Sequence, residues 1–218
     1  MRARRMVVVI GVAALGTIGA GAAIVAGTRS PPGAATGEVA PPATRSPAAT
    51  AAVTTTPTRA GRVLSVSDAM KELELIRPTR LKLADDFTVS TPEGKSFRLS
   101  AQRGKLVLVN FWATWCPPCR EEMPAMERLY RQHRDRGFVM VAVSLDADPA
   151  VVRPFVAERG FTFSVGLDPK MQVANAYGVR ALPSSFVIDR SGNLAALAIG
   201  PRTWDNEASH SLVEGMTR

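Results

Sequence analysis

Cysteine is almost absent from this 218-residue chain, which has only Cys116 and Cys119. An exported domain that uses cysteine as a staple spreads it over several bridges closing long loops. Here the whole supply sits across one two-residue gap, and closing so short a loop restrains the unfolded chain little. The pair therefore reads as chemical rather than structural. Histidine is as scarce, with His133 and His210 alone. A four-ligand metal site built on the cysteine pair needs two more ligands, and neither histidine is placed to supply them. Both are read as surface residues, and no metal is expected. Residues 61–218 contain no block of Lys and Arg interleaved with aromatics. That argues against nucleic acid as a partner, because phosphate binding needs clustered cations. No flavin or nicotinamide motif is visible, so no bound cofactor is expected and redox chemistry would rest on the two sulfurs. There is no internal repeat.

The net charge of +8 is unevenly placed. Residues 1–60 hold six arginines and one glutamate, a net +5, which leaves +3 for the remainder. Arg2, Arg4 and Arg5 precede an uncharged apolar stretch over residues 6–27. A helix of that length would just cross a hydrocarbon core of ~30 Å, with the basic end in the cytoplasm and the rest of the chain outside. The length favours a retained membrane anchor over residues 1–27. Ala20-Gly21-Ala22 keeps a cleaved signal peptide as the alternative, and Arg4-Arg5 is a partial match to a twin-arginine signal. Residues 28–60 are mostly Pro, Ala, Thr, Ser and Gly without apolar period, which reads as a disordered linker. A folded domain is expected over residues 61–218, in an extracytoplasmic compartment where disulfides form.

Within that domain, residues 65–76 suggest a helix opened by Ser65-x-x-Asp68. Residues 87–89 and 96–99 flank Thr91-Pro-Glu-Gly-Lys and read as a hairpin. Residues 105–111 and 138–145 are near-continuous apolar runs, as buried parallel strands are. Helices are expected over 117–134, 149–159 and 170–177. Strands over 184–188 and 194–199 are joined by the turn sequence Asp189-Arg-Ser-Gly-Asn. A closing helix follows over 205–216, with Asp205 as its N-cap.

The cysteines stand where a strand meets a helix, in Phe-Trp-Ala-Thr-Trp-Cys-Pro-Pro-Cys-Arg. With Cys116 at the helix start, Pro117 takes the first helical position, where proline is best tolerated. Cys119 follows one turn on, with its amide aimed back at the Cys116 sulfur. The helix dipole and that amide favour a Cys116 thiolate, which attacks a disulfide, and Cys119 then resolves the mixed disulfide. Pro117 and Pro118 supply no N–H, so the thiolate is stabilised less than most dipeptides would allow. The pair should therefore be reducing.

The run Val-Leu-Val-Asn-Phe-Trp-Ala-Thr-Trp-Cys-Pro-Pro-Cys-Arg-Glu-Glu-Met-Pro resembles the TlpA-like membrane-anchored thiol–disulfide oxidoreductases of the thioredoxin superfamily. Lys-Leu-Ala-Asp-Asp-Phe upstream and Tyr-Gly-Val-Arg-Ala-Leu-Pro-Ser-Ser-Phe-Val-Ile-Asp downstream extend the resemblance over roughly residues 85–200. It implies an α/β thioredoxin-like sandwich with a mixed central sheet, an N-terminal hairpin extension and a central α/β insertion. It also implies a redox-active disulfide, Cys116 as attacking and Cys119 as resolving thiol, and Pro183 as a cis-proline facing them. By the same resemblance Glu122 is an acidic group that exchanges a proton with Cys119, while Glu121 is surface. Trp115 joins the rim beside Cys116, with Trp112 packing behind it, and Leu182 helps set partner choice. Thioredoxins carry a buried Asp where this chain has Asn110, so no proton relay is expected there and Glu122 gains weight. The implied activity is reduction of protein disulfides by a monomer, in cytochrome c maturation or related upkeep of exported thiols. Its electrons would come from a membrane thiol transporter. Two alternatives are a peroxiredoxin-type thiol peroxidase and a copper-binding assembly factor. The first lacks its Thr/Ser-x-x-Cys, and the second uses a different cysteine spacing and a distal histidine.

Overall fold

The computed structural model describes residues 63–218. The expected anchor and linker lie outside the described residues. Among the described residues no helix is long and apolar enough to cross a membrane.

At the centre are two parallel strands, β3 (Leu106–Trp112) and β4 (Phe138–Ser144), paired from Leu106↔Phe138 to Trp112↔Ser144. All seven residues of β3 are buried, because helices or loops cover both faces of the sheet. Strand β6 (Ser184–Ile188) runs antiparallel beside β3, and β7 (Leu194–Ile199) antiparallel beside β6. On the other side β5 (Ser164–Leu167) is parallel to β4. The hairpin β1 (Thr88–Ser90) and β2 (Ser96–Arg98) joins β5 through Ser90↔Leu167. The order of this mixed seven-stranded sheet is β2-β1-β5-β4-β3-β6-β7.

Strand β5 has no counterpart in the sequence reading. It has four residues with a glycine among them, too few to show a period. Gly166 is required by packing: a Cβ there would stand 2.5 Å from Val89 Cγ2. The missing side chain lets the hairpin close against the sheet.

Among the described residues five α-helices accompany the strands: α1 (Val66–Glu72), α2 (Pro117–His133), α3 (Val152–Arg159), α4 (Gln172–Ala176) and α5 (Glu207–Thr217). Ser65 caps α1 by accepting from Asp68 N. The helix ends earlier than the sequence suggests because Ile76 leaves it to pair with Leu197 on the edge of β7. Asp205 is not the cap of α5. Asn206 is, accepting from Ser209 N, while Asp205 is drawn to Arg128 and His210. Gly215 within α5 makes room for α1, since a Cβ there would lie 2.4 Å from Val66 Cγ2. Helix α2 is assigned without interruption across Pro124, although the proline ring leaves the Arg120 carbonyl without an amide donor.

Successive residues of β3 face opposite sides. Val107, Val109 and Phe111 enter one core with Phe87, Val89 and Phe186. Leu106, Leu108 and Trp112 enter the other, against Met123, Met126 and Leu129 of α2. Each of those three α2 side chains is almost or wholly buried, worth about 1.5–3 kcal/mol apiece. Asn110 falls on the same side as Leu108 and Trp112, so strand parity alone turns a polar side chain toward α2.

Candidate active site

Cys116 and Cys119 are joined by a disulfide. Cys116 is the N-cap of α2, and its sulfur accepts from Cys119 N at 3.4 Å. Pro117 and Pro118 occupy the first two helical positions, so no N–H from them can reach the sulfur. Cys116 is 4 % exposed and Cys119 fully buried, which leaves Cys116 as the sulfur that solvent or a partner meets.

The loop before the pair is pinned by a residue the sequence reading missed. Asp146, buried just beyond β4, accepts from Thr114 N at 3.2 and 3.0 Å, from Thr114 Oγ1 at 2.6 Å and from Ser144 Oγ at 2.7 Å. The available signal was position, because in sheets of this kind functional groups gather beyond the carboxyl ends of the parallel strands.

Beside Cys116 lies a groove of about 480 Å³, lined by Trp115, Cys116, Pro117, Pro118 and Leu182 together with Leu145, Met171, Val179, Arg180 and Ala181. Trp115 is 66 % exposed on its rim. Arg180 is the one charged side chain in the lining. The Leu182–Pro183 bond is cis; Pro183 is buried and Leu182 half-buried. Neither the N–H nor the C=O of Leu182 has a backbone partner among the described residues.

Glu122 is one turn beyond Cys119 on α2, at the spacing that makes side chains neighbours. It is 5 % exposed and accepts three hydrogen bonds. Asn110 Nδ2 reaches Oε1 at 2.9 Å; Arg202 N and Trp204 Nε1 reach Oε2 at 3.0 and 3.2 Å. Burial pushes its pKa up to about 7 against those three bonds and the nearby Arg202 charge. Arg202 contributes its amide because its guanidinium is spent elsewhere, on the carbonyls of Leu73 and Pro201 among others. Arg202 and Trp204 were not singled out from sequence. They lie in an irregular stretch about 80 residues away, and nothing local marks them. Glu121 is exposed.

The histidines correct the sequence reading. His133 is fully buried, not a surface residue, and His210 is half-buried. His133 Nε2 lies 2.9 Å from His210 Nδ1, and His210 Nε2 lies 3.1 Å from Asp205 Oδ1. Burial and the neighbouring His210 hold the His133 pKa below its usual value. The pair ties the end of α2 to α5, roughly 25 Å along the helix from Cys116. Trp112 packs beneath the site, 5.2 Å between ring centres from Phe155.

A vicinal sulfur pair at a helix start, with a titrating carboxyl one turn behind it, is equipped to make and break disulfides. On this sheet that defines a thioredoxin-like thiol–disulfide oxidoreductase. The chain belongs to the AhpC/TSA family, whose model matches residues 81–197. It is 40 % identical to the thiol-disulfide oxidoreductase ResA of Geobacillus thermodenitrificans over 127 residues, 58 % of this chain and 73 % of that protein. It is 39 % identical to the ResA of Bacillus anthracis over 122 residues, 56 % of this chain and 70 % of that one. Among solved structures, a putative thiol:disulfide interchange protein DsbE from Chlorobium tepidum superposes with a TM-score of 0.60 at 35 % identity, covering 64 % of this chain and 98 % of its own.

Proposed function

We propose that the chain reduces disulfides in exported proteins, cycling Cys116 and Cys119 between dithiol and disulfide with no bound cofactor. The observation that carries this direction is the single amide at the Cys116 sulfur. A thiolate with fewer donors is a less stabilised reduced form, and such a pair gives up its electrons readily.

In the reductive half-cycle the Cys116 thiolate attacks a substrate disulfide. One substrate sulfur leaves as thiolate and takes a proton, and the other stays bonded to Cys116. The Cys119 thiol passes its proton to the Glu122 carboxylate. The Cys119 thiolate then attacks Cys116 Sγ, the second substrate sulfur leaves, and the Cys116–Cys119 bond of the structure is restored. Two electrons have moved to the substrate, and a carboxyl with a pKa near 7 is matched to holding that proton. The unpaired backbone of Leu182 supports docking of the substrate as an extended segment along the groove.

The basic-then-apolar N-terminus supports an extracytoplasmic setting and return of electrons by a membrane thiol transporter. Apocytochrome c thiols or other exported thiols are then the substrates, and the protein acts as a monomer. Peroxidase chemistry is the weaker reading, because Ala113 stands three residues before Cys116, where that chemistry needs Thr or Ser.

The test is the equilibrium reduction potential of the pair. A value at or below roughly −220 mV supports a reductase, and one near about −120 mV would make it an oxidant. Peroxide consumption at a comparable rate would replace the reading with peroxidase.

A further inference from the structure

The two oxygens of Glu122 are not equivalent. Oε2 is held by two N–H donors, Arg202 N and Trp204 Nε1. Oε1 has one partner, Asn110 Nδ2 at 2.9 Å. The same nitrogen also reaches Ser185 Oγ at 3.0 Å, across the Asn110↔Ser185 register of β3 and β6. The other end of this amide, Asn110 Oδ1, is buried with no partner among the described residues. Asn110 is fully enclosed and Ser185 nearly so.

This arrangement suits an ionised Glu122 only. An oxygen already accepting two N–H bonds is not the one to carry hydrogen, so a proton on Glu122 sits on Oε1. There it would face the Asn110 NH2, donor against donor. Rotation of the amide by half a turn removes the conflict. Oδ1 then accepts from Glu122 Oε1–H and from the Ser185 hydroxyl, whose own hydrogen has no acceptor among the described residues. Each orientation leaves one end of the amide unpartnered, so neither is locked, and no backbone need move.

We propose that the Asn110 amide is a two-position switch, backed by Ser185, that turns over when Glu122 gains or loses its proton. Asn110 is a positioning residue: it hydrogen-bonds Glu122 in both protonation states, donating to the carboxylate and accepting from the acid. A carboxyl otherwise walled off from water thus has a partner throughout the proton's arrival and departure. The Arg202 charge acts on Glu122 while its guanidinium is bonded to the carbonyls of Leu73 and Pro201; Asn110, Ser185 and Trp204 are neutral, and Cys119 is the neighbour of Glu122 along α2. The inference rests on Glu122 holding a proton, as the proposed cycle requires.

The test is nuclear magnetic resonance of the full chain, following the Asn110 side-chain NH2 while pH is carried through the Glu122 titration. Above the titration, contacts from the NH2 protons to the Ser185 β-protons are expected. Below it they should be lost, with the same midpoint as the Glu122 carboxyl carbon. Glu122→Gln should hold the amide in the turned orientation at every pH, because the Gln NH2 can only donate to Oδ1. Unchanged contacts across the wild-type titration would overturn the inference, as would a Glu122→Gln protein that keeps the high-pH contacts. An amide that turns while disulfide exchange is indifferent to Glu122→Gln supports the switch and removes the proton-carrier role. Slowed exchange with a static amide removes the switch and keeps that role.

Discussion

Glu122 and Glu127 stand five residues apart on α2, are 5 % and 7 % exposed, and each accepts hydrogen bonds at both oxygens. Their acidities nevertheless move in opposite directions. Glu127 is bonded by Thr162 N at 2.8 Å, by Thr162 Oγ1 at 2.6 Å and by the Arg131 guanidinium. Burial works to raise its pKa, but those bonds and the Arg131 charge outweigh it and the pKa falls. Glu122 has as many donors, all uncharged, and there burial wins. Depth of burial and contact with a cation together separate them: Glu127 lies nearer the surface and touches the Arg131 guanidinium, whereas Glu122 lies deeper and meets only uncharged donors. The first fastens α2 to the chain entering β5. The second stands one turn from Cys119.

The largest expected break in this comparison is in turnover. Glu122→Gln should slow disulfide exchange by about 10²-fold or more, the scale of lost general acid–base catalysis. Glu127→Gln should leave the rate near wild type. Stopped-flow reduction of a model disulfide by both variants distinguishes them, and equal slowing would show that the carboxyls are not functionally different.

Next is the pH dependence of stability. The Glu122 pKa is raised from 4.5 to about 7, so between those values the folded state binds more protons than the unfolded one. Its contribution is full below pH 4.5, falls by about 3 kcal/mol as pH rises to about 7, and is constant above. Denaturant titrations across that window should show the slope in wild type and not in Glu122→Gln. Glu127 has the opposite sign. Its lowered pKa gives stability above the unfolded value, lost as pH falls through the folded one.

Third, Gly166→Ala should destabilise the protein by about 1–3 kcal/mol, since the new methyl meets the stiff Val89 side chain. The loss should appear first as hydrogen exchange in β1 and β2, with the active site unaffected. The smallest effects concern single donors. Thr162→Val removes the hydroxyl from Glu127 and should cost about 1 kcal/mol. Trp204→Phe removes one from Glu122 and should raise its pKa further, seen as an upward shift in the pH–rate profile.

The apolar runs of β3, β4 and β6 show in the sequence because buried strands are continuously hydrophobic, and α2 shows because its apolar residues recur at helical spacing. The cysteine pair is legible for a local reason as well: two sulfurs, two prolines and a helix start lie within four positions. Glu122 is legible by resemblance but not by its partners. Asn110 looked like the loss of a relay residue, whereas its place on β3 turns it toward Glu122. His133 and His210 looked like surface groups because nothing within a few residues of either reveals 77 residues of separation closing to 2.9 Å.

What the sequence determined by itself was whatever depends on neighbours along the chain: the Ser65 cap of α1, the long buried strands, and a thiol pair deprived of amide donors by two prolines. What only the tertiary structure decided was the proton affinity of Glu122 and the burial of His133. Those depend on how far water is excluded and on which donors arrive from β3 and from the loop before α5. Desolvation and hydrogen bonding act through space, so they exist only once distant segments have met.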